Sequence, residues 1–298
     1  MTADPADAPG PPRQRISPIT FPSETPTLAK PRDDEPQVRR DAFRETSFAL
    51  PLDLRWLNDA FTLQRKIVEQ SYGSSFRNRR YASALIFWSR VYSAGLEARG
   101  LAARASYSAA LPLLRAMMEW LGAEQAVVGD EQVEFEDWLR GAWSNNQEHH
   151  VTEVGMGQYM AGQQIAMAPE TADAYRAVSE LSRSHFGASA LLSADGSHAK
   201  RFLVNWSDEA FHLGWAQLLI GWQIVIQDRQ CRFAVGSGLF GVESEDRQDY
   251  QRLHRQTQSL LEDARRCNAT WIIDNGRQRL LIDNYRRQPS GAPKRILL

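Results

Sequence analysis

Two charged residues four apart in an apolar helix pose the first chemical question. Arg115 and Glu119 lie in the stretch LLRAMMEWLGA, Leu113 to Ala123, among leucine, methionine and tryptophan. Side chains at that spacing share a helix face, so the two charges can neutralise each other where either alone would be rejected. The expectation is that both are largely buried, in contact with each other or with polar groups of the His185 segment. With Arg90 from the preceding helix, the same guanidinium groups form a binding site for a phosphate or carboxylate. The second group is Ser182 and His185, in YRAVSELSRSH from Tyr175 to His185. An imidazole at a helix end is a general acid or base that exchanges its proton near neutrality. Arg115, Glu119, Ser182 and His185 are therefore the catalytic candidates, and Arg90, Arg115 and Glu119 the binding candidates. The competing readings are a structural ion pair and a capping histidine.

Other spacings exclude chemistry. Glu209 and His212 have the Glu-x-x-His spacing of carboxylate-bridged di-metal bundles, but such sites need a second copy. His149, His150 and Glu153 do not supply it, so neither a metal nor a cofactor is expected. The glycine-rich AVGSGLFG, Ala234 to Gly241, lacks the Lys and Ser/Thr of a phosphate loop. Two cysteines, Cys231 and Cys267, build no disulfide scaffold and suit a reducing compartment. The N-terminus has no signal-peptide core, and the longest apolar run, Leu213 to Ile226, is about 14 residues against the roughly 20 of a membrane span. The expectation is a cytoplasmic protein with no membrane segment. A net charge of -1 gives no global attraction to nucleic acid.

The elements that must position these residues read as helical. Ten of the 14 prolines fall in the first 51 residues, which predicts a disordered arm over 1–45. Helical periodicity then predicts helices from Asp53 toward Gly73, from Phe76 to Arg99, and from Ala102 to Val128 with a kink at Pro112. Others are expected from Asp130 to about Trp143, from Pro169 to Gly187, from Ser207 to Gln227 and from Ser244 to Asp274. Residues 188–205 read as a connection with short extended pieces at Ala190 to Leu192 and Phe202 to Val204. The fold expected is all-α: a single bundle of about seven helices over 46–288, with a flexible tail over 289–298.

The Arg-x-x-x-Glu helix, followed about 60 residues later by the Leu-Ser-x-x-x-His segment, resembles a group of bacterial all-helical families of unknown function. Some of these resemble the HEPN superfamily of abortive-infection and toxin systems. The resemblance spans roughly Phe76 to Trp222 and marks Arg115, Glu119, Ser182 and His185. It implies a ligand- or protein-binding module linked to defence or stress, acting as a homodimer or with a protein partner. The nine tryptophans supply anchors for such contacts. The alternative is a HEPN-like, metal-independent ribonuclease that uses His185 or His254 with an arginine, and RNA is a partner only there. Arg247 lies seven residues before His254.

Overall fold

One helix is buried on nearly all sides, and most of the other described helices pack on it. The computed structural model describes residues 26–71, 79–126, 143–146, 151–154, 162–194, 196–198, 200–206 and 210–298. In chain order the helices are α1 (Gln37–Ala49), α2 (Pro51–Gln70), α3 (Arg79–Ala103), α4 (Tyr107–Ala126), α5 (Gly162–Ala166), α6 (Pro169–Leu181), α7 (Phe186–Ser193), α8 (Leu213–Ser237) and α9 (Ser244–Leu261). A hairpin, β1 (Trp143–Asn146) with β2 (Val151–Val154), lies between α4 and α5. The strands β3 (Asn268–Asp274), β4 (Arg277–Tyr285) and β5 (Lys294–Leu297) form an antiparallel sheet in that order.

The central helix is α8. Leu218, Leu219, Ile220, Ile224 and Ile226 are buried together with Trp215 and Trp222, and α8 packs on α2, α3, α4, α9 and the sheet. A helix apolar all round must be interior. Three of its glutamines are buried too, so each needs a partner. Gln223 donates to the Gly95 carbonyl, Gln227 accepts from Gln64 at 2.6 Å, and Gln230 donates to the Glu124 carboxyl at 3.2 Å. Glu124 is fully buried, and burial pushes its pKa well above the usual carboxylate range.

Several expectations change. The chain is mostly helical, but it is not all-α, because the sequence predicted as helix to Asp274 leaves the helix after Leu261 and enters β3. The physical reason is the Asn275–Gly276 turn. Both residues have positive φ, 49° and 75°, as the two-residue turn of a twisted hairpin requires, and the flanking Trp271, Ile272, Ile273, Leu280, Leu281 and Ile282 favour strands. β5 falls within the tail expected to be flexible. α1 starts inside the span expected to be disordered: Pro36 occupies its N-cap, and Ala42 and Thr46 are buried. Residues 1–25 of that arm lie outside the described residues, as do 130–142 of the helix expected from Asp130; Trp143, expected at its end, instead opens β1. The helix expected to run to Gly187 ends at Leu181, and residues 188–193, expected as a connection with an extended piece at Ala190 to Leu192, belong to α7. The predicted third helix is instead divided at Ala105, which takes a left-handed φ of 58°, and Pro112 sits inside α4. Among the described residues no helix is long and apolar enough to cross a membrane.

One buried ion pair fastens the sheet to the bundle. Asp53, in the first turn of α2, accepts from Arg266, just before β3, at 2.6 Å. Arg266 also donates to the Gln217 carbonyl of α8 at 2.9 Å. The chain after β4 then closes the start of α8, where Leu213 and Gly214 donate to the Arg287 and Arg286 carbonyls. These bonds satisfy two of the backbone donors that a helix N-terminus leaves open.

Candidate functional site

The buried residues of α4 include Tyr107, Ala110, Leu111, Leu114, Met117, Met118 and Leu121, at helical spacings of three and four. Arg115 and Glu119 fall on the adjoining stripe. Their side chains are 41% and 37% exposed, with Nε to Oε1 at 3.2 Å. The pair forms, but at the rim and not in the core. Tyr175 of α6 donates to Glu119 Oε1 at 2.8 Å. Burial and the Glu119 carboxylate both hold the Tyr175 phenol above its usual pKa, so it stays a donor. Arg90 lays its guanidinium over Trp120 at 4.3 Å.

Ser182 and His185 do not join this cluster. The Ser182 hydroxyl donates to the Val178 carbonyl of its own helix. His185 stands at the N-cap of α7, with Nε2 3.0 Å from Glu180, and Arg183 shares that carboxylate at 2.7 Å. The four residues expected to act together thus form two surface groups. His212 caps α8, accepting from Trp215 N at 3.3 Å. Glu209, His149 and His150 lie outside the described residues, as does the side chain of Glu153. Among the described residues no group of three or more His, Cys, Asp or Glu side chains is placed to hold a metal ion.

A different histidine, His254, is paired with a nearly buried carboxylate. The buried residues of α9 are Asp246, Tyr250, Leu253 and Thr257, and His254 borders that stripe. Its Nδ1 lies 3.0 Å from both carboxylate oxygens of Asp228 on α8. Two acceptors facing one ring nitrogen place the proton there, which leaves the lone pair on Nε2. Among the described residues nothing hydrogen-bonds Nε2. The His254 side chain is 38% exposed and that of Asp228 only 9%. Burial raises the Asp228 carboxyl above its usual pKa, against the lowering pull of His254. Thr257 approaches Asp228 at 3.5 Å, and the Tyr250 ring stacks on the imidazole at 5.7 Å.

No family model, no curated protein and no solved structure matches this chain. The dyad is therefore read from its own geometry. A carboxylate on Nδ1 fixes the tautomer and stabilises an imidazolium if Nε2 takes a proton. Two cations accompany it. Arg232 lies one turn beyond Asp228 on α8, is exposed, and its charge favours the Asp228 carboxylate. Arg247 lies two turns before His254 on the same face of α9 and donates to the Val235 carbonyl at 2.9 Å, which fixes the start of α9 against the end of α8. The sequence reading named His254 and Arg247 but not Asp228, which stands 26 residues from its histidine. A single acid in the apolar α8 was the available signal, because a charge there needs a partner. Cys231, one turn from Asp228, is buried, and burial pushes its thiol up to about 12, which removes it as a nucleophile.

Proposed function

We propose that this chain cleaves RNA, with His254 as the general base and Asp228 as the group that positions it. The observation that carries the reading is the paired 3.0 Å contact of His254 Nδ1 with a nearly buried carboxylate, while Nε2 is left open. In the reaction, Nε2 takes the proton of a ribose 2′-hydroxyl as that oxygen attacks the adjacent phosphorus. The bond to the 5′-oxygen breaks, and this oxygen leaves with a proton from the imidazolium or from water. The products are a 2′,3′-cyclic phosphate and a 5′-hydroxyl. Arg232 and Arg247 offer guanidinium groups for the phosphate oxygens, where they stabilise the charge that grows in the transition state. The reaction as drawn needs no metal. The HEPN resemblance agrees with this chemistry, but its marked residues Arg115, Glu119, Ser182 and His185 are not its centre.

The test is a matched pair of single-stranded oligonucleotides, one all-ribose and one with 2′-deoxyribose throughout. Cleavage of the first to a cyclic-phosphate end, with the second intact, is the expected result. Equal cleavage of both would overturn the mechanism, since the deoxy strand has no internal nucleophile. The reading as a partner-binding module keeps one specific observation of its own, an exposed apolar stretch after α7.

A further inference from the structure

Arg229 is a cation in a place where a charge needs an opposite one. It lies on α8 and is only 7% exposed. Burial lowers its pKa to about 10, so it is still charged at neutral pH. Buried charges are normally paired. Among the described residues Arg229 has no ion pair, and its hydrogen bond runs from Nη2 to the Gln164 carbonyl of α5 at 2.6 Å. Arg232 repels it, and Glu170 at the start of α6 attracts it without forming an ion pair. Its Nε and Nη1 are not sealed from solvent, unlike the Nε of Arg99, a more deeply buried arginine.

The neighbours on α8 give this guanidinium a direction. At about 100° of turn per residue, Arg232 falls between Asp228 and Arg229, about 40° from the first and 60° from the second. Asp228 faces α9, where it holds His254. Arg229 reaches toward α5, and Arg232 is exposed between them. The dyad, Arg232 and Arg229 therefore form a line across α8. A strand whose reacting phosphate lies at His254 and Arg232 carries its neighbouring phosphate along that line.

We infer that Arg229 binds the phosphate next to the one at which His254 acts. The identity of the strand as RNA rests on the proposed cleavage; the phosphate site rests on Arg229. The guanidinium has already lost most of its hydration in the folded chain, so a phosphate oxygen meets a donor that costs little more to desolvate, in surroundings that screen charge weakly. The planar fork suits two oxygens of one phosphate. A polyanion that spans both arginines also relieves the repulsion between Arg229 and Arg232.

The experiment is fluorescence anisotropy of the full chain with a labelled single strand of 2′-deoxyribose. That strand carries the same phosphates without the internal nucleophile, so binding is read without cleavage. The wild type is expected to bind it, less tightly as salt rises. Arg229→Gln keeps a donor for the Gln164 carbonyl and removes the charge. It is expected to weaken binding about tenfold, the effect of one charge-assisted hydrogen bond, equally for thymine and adenine strands. The slope of log affinity against log salt should shrink by about 0.7. Arg229→Lys keeps the charge and loses the fork, so it should hold the wild-type slope at reduced affinity. Wild-type affinity and slope in Arg229→Gln overturn the inference; if that variant does not fold, wild-type affinity in Arg229→Lys overturns it instead. A wild-type chain that binds no strand at low salt overturns it too, even if inorganic phosphate raises its melting temperature, since the site then takes a free anion only. Cleavage is not read, so His254 can fail as a base while this site stands, and the reverse.

Discussion

Replacing Asp53 by alanine should cost about 3 kcal/mol of stability. Asp53 and Arg266 are each only 7% exposed, and their contact is 2.6 Å. Removing one partner of a buried pair costs about 3–5 kcal/mol, because it strands a charge. Arg266 would keep two acceptors, the Gln217 carbonyl at 2.9 Å and the Leu260 carbonyl at 3.4 Å. Those bonds place the expected loss at the lower end of the range. At roughly 2–4 °C per kcal/mol for a chain of this class, the melting temperature should fall by about 6–12 °C. The double replacement Asp53→Leu with Arg266→Met removes both charges and should cost much less than Asp53→Ala, since apolar side chains of similar volume restore packing without an orphan. Urea denaturation of the wild type, both single variants and the pair supplies the cycle. A cost below about 0.5 kcal/mol for Asp53→Ala, the range of surface changes, would refute the claim that this pair holds the sheet on the bundle.

Three other outcomes follow from the same geometry. Glu119→Ala should cost less than about 1 kcal/mol in urea denaturation, because the Arg115–Glu119 pair is solvent-screened at the rim of α4. Gly95→Ala should destabilise by about 1–3 kcal/mol by overpacking, since a Cβ there would meet Gln227 Nε2 at 2.7 Å and Phe61 Cζ at 2.9 Å; calorimetry reads the drop. Glu124→Gln should stabilise the protein increasingly as pH rises. Burial raises the folded-state pKa of Glu124 above the ordinary 4.5, so from about that pH upward the folded state holds a proton the unfolded state has released, and wild-type stability falls with pH; denaturation midpoints at pH 5 and pH 8 that differ equally for both proteins would contradict this.

How much the sequence discloses depends on the range of the interaction. Asn275–Gly276 is a local hairpin signal, and it was lost because the polar residues from Ser244 read as one uninterrupted helix. Pro36 marks the start of α1 as clearly as the other prolines mark loops, but in a proline-rich arm the two uses look alike. The spacing of Arg115 and Glu119 correctly placed them together on a helix face. It did not say which face, because the neighbours Met117, Met118 and Trp120 surround the pair in sequence while only the first two share the core. Pro169 at the start of α6 was legible, since its missing N–H and fixed φ suit that position. The Asp228–His254 contact was not, because it depends on how α8 and α9 pack, and no spacing encodes that. Tyr175 opened the segment that ends at His185, yet its bond to Glu119 needs α6 to lie against α4.

The central claim is that His254 acts as a base on RNA because Asp228 holds it. The most direct measurement is the initial rate at which purified full-length protein cleaves an end-labelled single-stranded RNA, for the wild type, His254→Ala and Asp228→Asn, each with its denaturation midpoint recorded. The account predicts cleavage by the wild type, a loss of about 100-fold or more in His254→Ala, the usual contribution of a positioned base, and a substantial loss in Asp228→Asn with His254 still present. Wild-type protein that leaves the RNA intact, or a folded His254→Ala that cleaves at the wild-type rate, would contradict it.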